Sequence, residues 1–130
     1  MKILVGYDGS NAAKEALAVA RDHAIAFKAE VSVVTSLAKG NEGNLKDIEK
    51  AQRQLDYAVT YLADKGLDAD KHLLIRGLTP GEDLIQFAEE HDISEIVIGV
   101  RRRSNVGKLI FGSNARYVIM EAKCPVVTVK

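Results

Sequence analysis

Apolar residues follow two rhythms along this chain. Five short runs rich in β-branched residues, Ile3 to Tyr7, Val31 to Thr35, His72 to Ile75, Ile96 to Gly99 and Val126 to Val129, are continuous enough to predict buried strands. Between the first two runs, Ala13, Ala16, Leu17, Ala20, Ala24 and Phe27 recur at helical spacing, with Lys14, Glu15, Arg21 and Asp22 off that stripe. This predicts an amphipathic helix capped by Ser10 or Asn11. A second helix carries Leu45, Ile48, Leu55, Val59 and Leu62 and ends near Gly66, whose missing Cβ suits a left-handed turn. Thr79-Pro80-Gly81-Glu82 reads as a capping box with proline in the first turn, opening a third helix that buries Leu84, Ile85 and Ala88. A fourth runs from Ser113 to about Ala122, burying Ala115, Val118 and Ile119, before Pro125 starts the last strand.

Strand and helix therefore alternate strictly. Continuously apolar strands joined by helical crossovers have to be parallel and covered on both faces, which predicts an α/β fold, a three-layer α/β/α sandwich. Nothing in the composition divides residues 1–130, so a single domain is expected, with the polar stretch Ala38 to Asn44 as a loop.

Composition narrows the function classes. A chain of 130 residues can bury roughly two-thirds of its unfolded surface and needs no staples. Eighteen basic residues cancel eighteen acidic ones, which argues against a nucleic-acid coat protein. The single cysteine, Cys124, allows neither an internal disulfide nor a cysteine-based metal framework. The N-terminal apolar run is about five residues long and meets Asp8 at once, too short for a signal-peptide core or a membrane span. A cytoplasmic protein without membrane or nucleic-acid partners is expected.

In an open parallel sheet, ligands bind outside the carboxyl ends of the strands where the winding reverses. Two loops are suited to this. Gly6-Tyr7-Asp8-Gly9-Ser10 follows the first strand; Asp8 could accept from an amino group or sugar hydroxyls, hold a cation, or simply bond its own backbone. The fifteen residues Gly99 to Ser113 follow the fourth strand and combine glycines, Arg101, Arg102, Arg103 and Lys108 with a helix start. Those are components of a phosphate site; equally, Gly112 could serve a turn, Ser113 a cap and the arginines a solvated surface. Neither G-x-x-x-x-G-K-[ST] nor G-x-G-x-x-G occurs, so a P-loop motor and a dinucleotide dehydrogenase are unsupported.

With Asp8 after the first strand and Gly99…Gly112-Ser113 after the fourth, the chain resembles the universal stress protein family over its whole length. ILVGYDGS, the turn at Arg76-Gly77 and GSNARYVIMEAKCPVVTV all carry the likeness. The family's nucleotide-binding branch has G-x2-G-x9-G-[S/T]; here Gly99-x2-Arg102-x9-Gly112-Ser113 keeps the spacing with arginine at the middle glycine. The resemblance implies an adenine nucleotide alpha hydrolase-like sheet of order 3-2-1-4-5. It also implies a stress-response regulatory protein binding ATP, ADP or AMP between strands one and four. By position, Tyr7, Asp8, Gly9 and Ser36 would surround base and ribose, and Gly99, Arg101, Arg102, Gly112, Ser113 and Asn114 the phosphates. Arg102 either fills the pocket or forms charge-assisted bonds to phosphate. Mg²⁺ or Mn²⁺ could accompany ATP.

No catalytic set accompanies this pocket. His23, His72 and His91 share no ligand spacing, and Ser10, Ser104 and Ser113 have no adjacent base, so at most slow ATP hydrolysis is expected. A flavin carrier lacks aromatic support, since no Trp exists and Tyr7 is the sole aromatic near the first loop. A phosphoacceptor domain lacks further carboxylates beside Asp8. The alternative is a nucleotide-independent dimeric scaffold. The resemblance implies a homodimer through the edge strand Val126, Val127, Thr128 and Val129.

Overall fold

In the computed structural model, which describes residues 1–37, 44–100 and 112–130, strands and helices alternate along the chain. They are β1 (Lys2–Gly6), α1 (Asn11–Phe27), β2 (Glu30–Ser36), α2 (Leu45–Ala63), β3 (Ala69–Leu74), α3 (Pro80–Glu90), β4 (Glu95–Gly99), α4 (Ser113–Glu121) and β5 (Val126–Val129). All four strand pairings are parallel, and the sheet order is β3-β2-β1-β4-β5. The α/β fold class and the strand order expected from the family resemblance are therefore those found.

Period-two alternation sends successive strand residues to opposite faces. Ile3, Val5, Val31, Val33 and Val97 pack under α1 and α2 with Ala16, Leu17, Ala20, Leu55 and Leu62. Leu4, Val34, Ile96 and Ile98 pack under α3 and α4 with Leu84, Phe87 and Val118. Crossovers leading outward from β1 to β2 and β3 thus lie on one face, and those through β4 to β5 on the other. The winding reverses between β1 and β4.

Local signals set the helix ends. Ser10 caps α1 by accepting from the Ala13 amide at 3.1 Å, and Asn44 caps α2 through the Lys46 and Asp47 amides. The capping box of α3 is complete: Thr79 Oγ1 accepts from the Glu82 amide at 3.3 Å while Glu82 Oε1 accepts from the Thr79 amide at 3.0 Å. Gly66 has φ +77°, the left-handed backbone its position predicted.

Several expectations are corrected. Phe27, the last residue of α1, is 55% exposed, and its ring meets His23 instead of the core. Leu45 and Ile119 are also exposed; α2 buries the small residues Ala51 and Ala58, whose size permits close approach, and α4 buries only Val118 fully. Tyr7 lies just past β1. Strand β3 starts at Ala69, three residues before the apolar run, since an edge strand tolerates and is protected by exposed Asp70 and Lys71. Among the described residues no helix is long and apolar enough to cross a membrane.

Candidate functional site

Where β1 and β4 end side by side, the chain leaves toward opposite faces and a cleft of about 200 Å³ opens. Gly6, Tyr7, Asp8 and Ser10 line it from the first turn, Ala13 from α1, Val34 and Ser36 from β2, and Ile98 and Gly99 from β4. Pro80 and Leu84 of α3 and Asn114, Ala115 and Val118 of α4 close the other side. Five of the residues selected from the sequence, Tyr7, Asp8, Ser36, Gly99 and Asn114, meet here. Gly9 faces the neighbouring cavity, and Ser113 lines a shallow surface depression with Tyr117 and Met120. Gly112 is the N-cap residue of α4, so Ser113 is the first helical residue. Arg101 and Arg102 lie outside the described residues.

Each polar group of the cleft is held by the scaffold. Asp8 Oδ1 accepts from the Ser10 amide at 2.9 Å, the local turn that a carboxylate at this place favours. The Tyr7 backbone is pinned to β2 on both sides, its amide donating to Val34 O at 2.8 Å and its carbonyl accepting from buried Thr35 Oγ1 at 2.6 Å. The residue is 4% exposed, and burial, helped by Tyr57 and Asp8 nearby, pushes the phenol up to about 12, so it stays a donor at neutral pH.

Ser36 Oγ donates to Asp83 Oδ2. Asp83 is fully buried in the first turn of α3, and its other oxygen accepts from Arg76 Nε at 2.9 Å. Arg76 also donates to Glu90 at 3.0 Å, completing a chain that ties β2, α3 and the turn after β3 together. With its proton committed to Asp83, Ser36 presents lone pairs to the cleft and acts there as an acceptor. Asn114 Oδ1 accepts from the Gly81 amide at 3.0 Å, satisfying one of the free donors at the start of α3 and joining α3 to α4.

Gly99 has a packing reason of its own. A Cβ there would stand 2.8 Å from the Ala13 amide nitrogen and closer still to the Ala12 carbonyl, so the end of β4 touches the backbone of α1. Asp83 and Arg76, which set the Ser36 hydroxyl, escaped the sequence reading because an acid in a first helical turn looks like a simple partner of the helix dipole. Pro80, Leu84 and Ile98 escaped it too, since nothing in the pattern separates a cleft wall from core. Among the described residues no group of three or more His, Cys, Asp or Glu stands together as a metal site.

The chain is thus an open, parallel α/β protein with a carboxylate turn and a glycine strand end at the crevice where the winding reverses, the place where ligands bind in such sheets. The family model "Universal stress protein family" matches residues 1–130, and the chain belongs to that family. It is 35% identical to the Thermus aquaticus "Universal stress protein in QAH/OAS sulfhydrylase 3'region", covering 98% of this chain and 97% of the relative. A universal stress protein structure from Archaeoglobus fulgidus superimposes with TM-score 0.90 at 42% identity, covering 100% of this chain and 98% of the other. A structure of the universal stress protein from the same organism in complex with dAMP gives 0.86 at 37%, with the same coverage.

Proposed function

We propose that the cleft between β1 and β4 binds an adenine nucleotide and that the protein is a nucleotide-responsive regulator of the stress response. The observation that carries this is the convergence of Tyr7, Asp8, Ser36, Gly99 and Asn114 on one cavity, from segments far apart in sequence. The dAMP complex of the Archaeoglobus fulgidus relative, 37% identical, supports it. Val34, Leu84, Ile98 and Tyr7 offer an apolar slot for a base. Ser36, as an acceptor, suits an exocyclic amino group, and the Asp8 carboxylate suits sugar hydroxyls, which are donors. Gly99 and the start of α4 offer close backbone approach and a helix N-terminus to the phosphates; Arg101 and Arg102, outside the described residues, are phosphate partners by the family resemblance alone.

Calorimetric titration of the purified protein with AMP, ADP and ATP, with and without Mg²⁺ or Mn²⁺, tests the reading. Saturable heat that falls at least about tenfold in affinity for Asp8→Asn is expected, the loss of one charge-assisted bond. No heat at millimolar nucleotide would defeat it.

An edge strand supports a homodimer as the working form. β5 pairs only with β4 among the described residues, and Pro125 O and Val129 O accept from Ile96 and Val100 on that side. Alternate residues Val126 and Thr128 therefore turn their backbone donors and acceptors outward, ready for a second copy. Thr128→Pro removes one outward N–H and leaves the β4 ladder intact. A wild-type dimer that becomes a monomer on a sizing column is the expected result; an unchanged dimer, or a monomeric wild type, rules this interface out.

A further inference from the structure

A second cavity, of about 220 Å³, adjoins the cleft and shares Tyr7 with it. Lys50, Arg53, Gln54 and Tyr57 line it from α2, where their spacing puts them on one face, and Lys14 reaches in from α1. The Lys14 ammonium lies 5.5 Å from the centre of the Tyr57 ring. No carboxylate lines this cavity among the described residues. Some cations elsewhere pair with acids: Arg21 with Asp22, Lys71 with Asp56, Arg76 with Asp83 and Glu90, Lys123 with Glu89. Lys14, Lys50 and Arg53 form no ion pair among the described residues, although the chain as a whole is neutral.

Three like charges around one small concavity repel one another, and an anion entering it relieves that repulsion while gaining charge-assisted bonds. Two neutral donors stand beside them. The Tyr7 phenol, held protonated by burial, lines the cavity, and the Gln54 amide nitrogen lies against Gly9, where a side chain would collide with it. Asp8, which faces the first cleft and repels a bare anion, is absent from this lining.

We propose that the cavity between α1 and α2 is a separate site for a small polyvalent phosphate anion, a free pyrophosphate or the oligophosphate of a small molecule, gripped by Lys14, Lys50 and Arg53. It requires neither base nor sugar, so it is independent of nucleotide binding in the cleft.

Inorganic pyrophosphate, titrated calorimetrically into the full chain at low salt and without metal, is the probe. Saturable binding that persists when the cleft is saturated with AMP is expected. Lys50→Ala/Arg53→Ala should weaken it by about 25-fold, roughly fivefold per charge, and Lys14→Gln alone by about fivefold. The distant Lys65→Ala should leave it unchanged, and circular dichroism should confirm that every variant keeps its helices. Absence of saturable heat to about 10 mM would overturn the proposal, as would displacement by AMP. Equal affinity of the double variant, or loss of binding in Arg102→Ala with the double variant unaffected, would overturn it as well. If small molecules are the natural source, a phosphorylated sugar should compete with pyrophosphate; if free pyrophosphate is, the sugar phosphate should fail to displace it.

Discussion

Removing the Asp83 carboxylate should damage stability and the cleft together. Asp83 is fully buried and accepts from Ser36 Oγ and, at 2.9 Å, from Arg76 Nε. Hydrogen bonds to a charged group contribute about 1.5–3 kcal/mol each, and breaking a buried ion pair from one side typically costs about 3–5 kcal/mol. Arg76 is 30% exposed on its side chain and keeps Glu90 at 3.0 Å, so its loss is softened by solvent and by that second carboxylate. We therefore expect about 3 kcal/mol for Asp83→Ala. With a urea m-value of about 1.5 kcal/mol/M, the midpoint should fall by about 2 M. A double-mutant cycle with Ser36→Ala isolates the link to the cleft, and a coupling of at least about 1 kcal/mol is expected. Nucleotide affinity should fall in Asp83→Asn even where the fold survives, because an amide whose oxygen stays on Arg76 donates to Ser36 Oγ instead of accepting its proton, and the hydroxyl no longer faces the cleft as a pure acceptor. A midpoint shift below about 0.3 M, or additive effects of the two substitutions, would refute the chain from Arg76 through Asp83 to Ser36.

Gly99→Ala places a methyl against the α1 backbone and should cost about 1–3 kcal/mol, read as a lower thermal midpoint. Gly112→Ala meets nothing within 4 Å and has an ordinary φ of −65°, so its midpoint should move far less. The Tyr7 phenol is raised from 10.0 to about 12, so the folded state binds the extra proton over that interval. Its contribution is complete below pH 10 and is lost as pH rises toward 12, by about 2–3 kcal/mol; urea titrations should show a shallower alkaline decline in Tyr7→Phe. Thr79→Ala removes the capping box of α3 and should cost about 1 kcal/mol in the same assay, with Ser36 and Asp83 still bonded.

The chain's own pattern determined the elements and the layers. A strand buried on both sides has to be apolar throughout, a helix covering it has to be apolar at 3.6-residue spacing, and caps such as Ser10 and Thr79 act through atoms only three residues away. Those interactions are local, so they are written in order along the sequence. The site was legible only as two loops, from residue types and a family likeness. Its assembly depended on strand order, which no local signal encodes, and on contacts such as Ser36 with Asp83, 47 residues apart. Tertiary structure also decided that Gly99 answers to the backbone of α1, that Gly9 turns to the second cavity, and that Lys14, Lys50 and Arg53 share a cavity lined by no carboxylate among the described residues. Burial and charge neighbourhood are properties of the packed molecule, where distant segments share one dielectric and exclude the same water.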